Sequence, residues 1–191
     1  RKSRLPTLKD RYSARLGTFI ERADNTARII DVKYYLLLPS PSHVGSTLDT
    51  SQWDMLLRSL SAQRSYRWLN PNETKPIDIA RFLIFDGRFP RSVLFCALKI
   101  SENLKWLAID YAEEKPVHAY AAKMADDLQK LTIEQIFESG LHEFLQTFMR
   151  SIAAIANLIA RRLDRRLAAY PAARRRVRVP AQHGQRDLQR Q

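Results

Sequence analysis

The chain has 191 residues, of which 45% are hydrophobic and 9% aromatic, and it carries a formal net charge of +12. This length suits a single domain, and this apolar content excludes a fully disordered protein. The positive charge is concentrated at the two ends: residues 1–15 carry +5 and residues 161–191 carry +8, which leaves −1 for residues 16–160. We therefore expect a nearly neutral folded part between two basic arms, and only the arms suggest a polyanionic partner.

The single cysteine and the lack of long apolar segments indicate the cellular compartment. Cys96 cannot form a disulfide within the chain, and it lies in the apolar run 93–98, where we expect a buried, inert thiol. The charged N-terminus is not followed by an apolar segment, so no signal peptide is predicted. The uncharged stretch 151–160 is about half as long as the ~20 residues of a membrane span. These features predict a cytoplasmic protein without a membrane partner.

The first two predicted helices lie in the first third of the chain. Between Leu16 and Leu38, apolar residues recur at alternating gaps of three and four, which indicates one buried helical stripe that ends before Pro39. Thr50 or Ser51 is expected to cap a second helix. The predicted core residues of this second helix are Trp53, Leu57 and Leu60.

Five further helices are expected along the rest of the chain. A third begins at the Thr74 cap and stops at Gly87 in a left-handed conformation, and a fourth, fifth, sixth and seventh cover about 91–111, 117–131, 132–140 and 141–166. No alternating run of β-branched residues is bounded by hairpin signals. The sequence therefore predicts an all-α, antiparallel bundle of about six to seven helices without a sheet, followed by a disordered basic tail, residues 167–191.

One long segment resembles the signature helix of the bacterial alpha-E domain. This segment is GTFIERADNTARIIDVKYYLLLP, residues 17–39, and later stretches are also similar to the family: Gln52-Trp53, Phe82-Leu83 and Pro90-Arg91-Ser92. The resemblance covers most of residues 16–160 and corresponds to the later half of a longer domain, so we interpret residues 16–166 as that half and the arms as sequence from outside the family. It implies a helical module beside ATP-grasp amidoligase-like or transglutaminase-like proteins of peptide-modifying systems.

A charged stripe on the first helix is the main candidate site. Glu21, Asp24, Arg28 and Asp31 are separated by three, four and three residues, so they share one helix face beside the core. Asp24 and Arg28 can form a structural i,i+4 ion pair. Alternatively, the stripe is a binding face on which Arg28 holds a carboxylate or phosphate through two hydrogen bonds.

Arg91 and Ser92, which follow Pro90 at the predicted start of the fourth helix, are a second candidate site. The unpaired N–H groups and the dipole of a helix start can bind an anion. Capping of the helix by these residues is the more common arrangement, and we favour it.

The sequence offers little to support a catalytic or metal site. His43, His118, His142 and His183 are scattered, and neither a paired Glu-x-x-His nor a His-Glu-x-x-His pattern occurs, so we expect no metal. No nucleophile elbow and no glycine-rich phosphate loop is present, so we expect no cofactor and no catalytic residues. An enzyme that uses Glu21 or Asp24 as its acid or base is a further alternative. The catalytic carboxyl group would then need a strongly shifted pKa.

Two functional hypotheses follow. The first is a non-catalytic helical interaction or substrate-presenting module, associated with an ATP-grasp amidoligase-like or transglutaminase-like partner, as the resemblance implies. The alternative is binding of nucleic acid or another polyanion through the basic arms.

Overall fold

The computed structural model describes residues 8–36, 47–71 and 75–169, and every regular element within these ranges is an α-helix. The helices are α1 (Leu8–Leu36), α2 (Thr47–Ser59), α3 (Gln63–Leu69), α4 (Pro76–Phe85), α5 (Val93–Tyr111), α6 (Pro116–Lys130), α7 (Ile133–Ser139) and α8 (Leu141–Ala169). The predicted all-α class is confirmed for the described ranges, although they contain eight helices rather than six or seven. None of these helices combines the length and the apolar character that crossing a membrane requires.

The long helices α1, α5 and α8 pack side by side and form the centre of the bundle. Phe19 of α1 meets Phe95 near the start of α5, with ring centroids 5.9 Å apart. Tyr12 lies about two turns before Phe19 in α1. It stacks on Trp106, later in α5, with ring centroids 6.3 Å apart. Because the earlier residue of α1 contacts the later residue of α5, these two helices run antiparallel.

Helix α8 is also antiparallel to α1, and α6 packs against both α5 and α8. Asp31, near the end of α1, contacts His142 and Gln146, which lie in the first two turns of α8. The end of α8 therefore lies beside the start of α1. Helices α2, α3, α4 and α7 pack around the opposite end of the bundle.

The buried side chains confirm the predicted helix phases. In α1, Ala23, Ala27 and Ile30 of the predicted apolar stripe are fully buried. In α2 the predicted core residues Trp53, Leu57 and Leu60 are buried as well. Each large apolar side chain that is buried in this way stabilises the fold by about 1.5–3 kcal/mol relative to an exposed one.

The observed helix boundaries differ from the predicted ones at the starts of α1 and α2. Helix α1 begins at Leu8 rather than Leu16, so residues 8–15 of the predicted N-terminal arm are helical. Helix α2 begins at Thr47, so the predicted caps Thr50 and Ser51 lie inside it, and the Ser51 hydroxyl donates to the carbonyl of Thr47 at 2.9 Å. The cap prediction was wrong because a helix-interior serine satisfies its hydroxyl on the preceding turn.

The prediction that a helix ends at a left-handed Gly87 was also wrong. Helix α4 ends at Phe85, and Asp86 continues the chain in an extended conformation with φ −70°. Among the described glycines, a positive φ occurs at Gly140, which ends α7 as predicted. The cap predicted at Thr74, the helix end at Pro39 and the tail beyond residue 169 lie outside the described residues.

Candidate functional site

The predicted charged stripe runs along one face of α1, and two of its members pair with each other. The Arg28 Nε donates to the Asp24 carboxylate at 2.7 Å, and the Arg28 side chain is 64% exposed. The hydrogen bond to Asp24 raises the pKa of Arg28. Glu21, one turn earlier, is exposed. Asp24 and Arg28 therefore form the i,i+4 pair that the structural interpretation predicted.

Asp31, the fourth member of the stripe, connects α1 to α8. Its carboxylate contacts Nδ1 of His142 at 2.6 Å and accepts a hydrogen bond from Nε2 of Gln146 at 2.9 Å. A carboxylate without a proton only accepts, so Nδ1 of His142 carries the hydrogen in this contact. Asp31 is thus engaged between two helices, separately from the Asp24–Arg28 pair.

Ser92 is the N-cap of α5, as the capping interpretation predicted. Its hydroxyl is fully buried, accepts from the backbone N–H of Phe95 at 3.0 Å and donates to the carbonyl of Asp86 at 2.7 Å. Arg91 precedes it, and the carbonyl of Arg91 accepts a hydrogen bond from the Thr26 hydroxyl at 2.8 Å. This bond fixes the start of α5 against the middle of α1.

Two arginines that the sequence did not connect belong to neighbouring segments of the structure. Arg22 lies one turn before Thr26 on α1, and the Thr26 hydroxyl bonds to the Arg91 carbonyl just before α5. Burial raises the pKa of Cys96 to about 12, and the positive charges of Arg22 and Arg91 act in the opposite direction. Arg22 is half-buried, with its guanidinium carbon 5.8 Å from the centroid of the Phe19 ring.

We refer to Arg22 and Arg91 as the arginine pair. Within the described ranges, neither guanidinium has an ion-pair or hydrogen-bond partner in the protein. Two uncompensated guanidinium groups next to one helix start favour an anionic ligand, because each can donate two parallel hydrogen bonds to a carboxylate or phosphate.

A buried ion pair between α1 and α2 is the second feature that the sequence analysis missed. Lys33 is 1% exposed, and its ammonium contacts the Asp49 carboxylate at 2.5 Å and the Gln52 amide oxygen at 2.9 Å. The same ammonium lies 5.6 Å from the centroid of the Trp53 ring. Because Lys33 belongs to α1 and its partners belong to α2, this buried cluster joins the two helices.

The polar cavity beside α4 has its charges already paired. It measures about 410 Å³, and Arg81 and Arg88 line it. Arg81 contacts Asp78 at 2.6 Å and Glu134 of α7 at 2.7 Å, while Arg88 contacts Asp86 at 2.8 Å and lowers the pKa of that carboxyl. No group of three potential metal ligands occurs in the part of the chain that the structure describes. The arginine pair is therefore the candidate site with uncompensated charge.

Comparison with known proteins agrees with the resemblance of the α1 sequence. Residues 11–163 match the model of the Alpha-E family, which is described as a predicted alpha-helical domain with a conserved ER motif. In this sequence the Glu-Arg dipeptide occurs once, at Glu21-Arg22, within the candidate site. The match begins five residues before Leu16 and so includes the last part of the predicted N-terminal arm. No curated protein and no solved structure shows significant similarity to the chain. Since the match covers most of its length, the chain belongs to the Alpha-E family.

Proposed function

We propose that this protein is a non-catalytic helical module that binds an acidic segment of a substrate or partner and presents it to an ATP-grasp amidoligase-like or transglutaminase-like enzyme. The observation that carries this proposal is the arginine pair, whose two guanidinium groups have no counter-ion among the described residues. The class of partner is what the resemblance implies, and the conserved ER motif of the family, for which Glu21-Arg22 is the Glu-Arg dipeptide of this chain, supports the choice of site.

The groups nearest to the arginine pair favour binding over catalysis. A cysteine nucleophile must be a thiolate, whereas burial keeps the Cys96 thiol protonated with a pKa of about 12. The Ser92 hydroxyl is occupied by the cap of α5 and by the Asp86 carbonyl. Neither group is available as a nucleophile, so recognition of an anionic group is the chemistry that this surface supports.

The test is capture of the partner by the full chain. A tagged chain would be co-expressed with each ATP-grasp amidoligase-like or transglutaminase-like protein of the source organism, and the amount of co-purified partner would be measured. We expect Arg22→Ala and Arg91→Ala each to weaken capture by about tenfold or more, because each loses a charged contact. Arg28→Ala is the matched control, since Arg28 is an arginine of the same helix that already has Asp24 as its partner.

The outcomes separate the two interpretations of the α1 surface. Capture that is unchanged by Arg22→Ala and Arg91→Ala, with helicity intact by circular dichroism, would contradict the proposal. Loss of capture in Arg28→Ala alone would instead assign binding to the charged stripe Glu21, Asp24, Arg28 and Asp31.

Polyanion binding is the second candidate function, and one observation favours it. Because α1 and α8 are antiparallel, the exposed residues Arg11 and Arg15 of α1 and Arg161 of α8 lie toward the same end of the bundle. Binding through such charges falls steeply with salt. Retention of a single-stranded DNA oligonucleotide at low salt that is lost at about 200 mM salt would support it, and no retention at either concentration would exclude it.

A further inference from the structure

An apolar cleft lies at the end of the bundle where α1 begins and α8 ends. It has a volume of about 520 Å³ and lies between α1, α5, α6 and α8, partly open to solvent. Its apolar walls include Leu16, Ile20, Leu104, Leu107 and Ile159. This volume is within the range of about 300–1,000 Å³ that is typical of small-molecule sites. None of the residues of the arginine pair lines it, so it is a separate feature.

Gly17, in the first half of α1, lines this cleft. A glycine in a helix interior destabilises the helix relative to alanine, so its presence needs a reason. Its backbone is not left-handed, and a Cβ added at Gly17 would meet no atom within 4 Å. Neither the backbone conformation nor a close neighbour requires glycine here. The missing side chain instead leaves space at the wall of the cleft.

The cleft has one cationic end and one apolar end. In the antiparallel arrangement of α1 and α8, Arg161 and Ser13 lie at the end of the bundle where α1 begins, and Lys115 joins them from the start of α6. Ile20 and Ala156 line the opposite end. Lys115 pairs with Glu113 at 2.9 Å, whereas Arg161 has no ion-pair partner within the described ranges. The lining contains no acidic side chain.

We propose that this cleft binds a long-chain carboxylate, with the acyl chain along Leu16, Ile20 and Leu107 and the carboxylate against Arg161. The apolar walls favour the methylene groups, because each one that leaves water contributes to affinity. The cationic end selects an anionic head group over a neutral or a cationic one. This site goes beyond the proposed function, since it uses neither the arginine pair nor a protein partner.

The probe is dodecanoate below its micelle concentration, titrated into the full chain by isothermal calorimetry. We expect saturable binding of one molecule per chain. Gly17→Leu should weaken it by about tenfold or more, because its side chain occupies the cleft, while the matched control Gly17→Ala adds one methyl group and should stay within about threefold. Arg161→Gln should weaken dodecanoate by about tenfold and leave the neutral analogue 1-dodecanol unchanged. Helicity and the unfolding temperature of each variant show whether it is folded.

Several results would overturn the proposal. These are absence of saturable binding to the folded chain, equal affinity of the wild type and Gly17→Leu, and tighter binding of dodecyltrimethylammonium than of dodecanoate. Binding to phosphatidylglycerol vesicles that survives Gly17→Leu would assign the lipid affinity to the basic helix ends instead. A change in the sedimentation mass of the chain on Gly17→Leu would identify the cleft as an interface between two copies.

Discussion

The buried contact between Lys33 and Asp49 allows the sharpest test of the fold. The two side chains are 1% and 3% exposed, so each charge is stabilised by the opposite charge rather than by water. Lys33→Met removes the ammonium and leaves the Asp49 carboxylate buried without it, and Asp49→Asn does the reverse. Loss of one partner of a buried ion pair costs about 3–5 kcal/mol. That is a large part of the total stability of a domain, which is about 5–15 kcal/mol.

The assay is urea unfolding, monitored by circular dichroism and by tryptophan fluorescence. The fluorescence reports on this region because Trp53 lies beside the Lys33 ammonium. The double variant Lys33→Met/Asp49→Leu replaces the pair with apolar groups, and we expect its stability within about 1 kcal/mol of the wild type. Arg28→Ala, which breaks an exposed ion pair of similar length, should leave the midpoint nearly unchanged. Single variants that cost less than about 1 kcal/mol would refute the reasoning, because that is the effect of a surface pair.

Three further predictions concern the core and the chain ends. Leu57→Ala should destabilise the fold by about 2–5 kcal/mol in urea unfolding, and a change within about 0.5 kcal/mol would mean that Leu57 is not in the core. Burial raises the pKa of Cys96 from 9.0 to about 12, so its stabilising effect is complete below pH 9 and is lost as the pH rises from 9 to 12. Cys96→Ala should therefore lose stability less steeply across this interval, and equal slopes would contradict the pKa shift. Deletion of residues 1–7 and 170–191 should reduce salt-sensitive retention on DNA while helicity by circular dichroism persists, and loss of helicity would show that these segments support the fold.

The helices that the sequence predicted are those whose phase is set by local periodicity. In α1, Ala23, Ala27 and Ile30 repeat at helical spacing, and the same residues are fully buried in the bundle. Helix α3 was missed because Tyr66 is the only one of its seven residues that is buried, which leaves no period to detect. The start of α1 was placed too late because the charges of residues 9–15 concealed an apolar series in which Tyr12 and Leu16 are one turn apart.

The sites were harder to predict because they depend on contacts between distant segments. Lys33 follows Ile30 by three residues and so lies in phase with the buried stripe, but its charge suggested an exposed position. Its burial is possible only because Asp49 and Gln52, on another helix, face it. Arg91 was identified from the start of α5, whereas the contact of its carbonyl with Thr26, one turn after Arg22, follows from the packing of α5 on α1, which no local pattern encodes.

The contact of Asp31 with His142 joins residues 111 positions apart, and this separation affects how the chain matures during synthesis. Among the described helices, α1 is synthesised first and α8, one of its two main packing partners, is synthesised last. At about 5–20 residues per second, translation from the end of α1 to the end of α8 takes roughly 7–27 seconds. During that interval the apolar stripe of α1 lacks its contacts with α8, and such transiently exposed apolar surface favours aggregation.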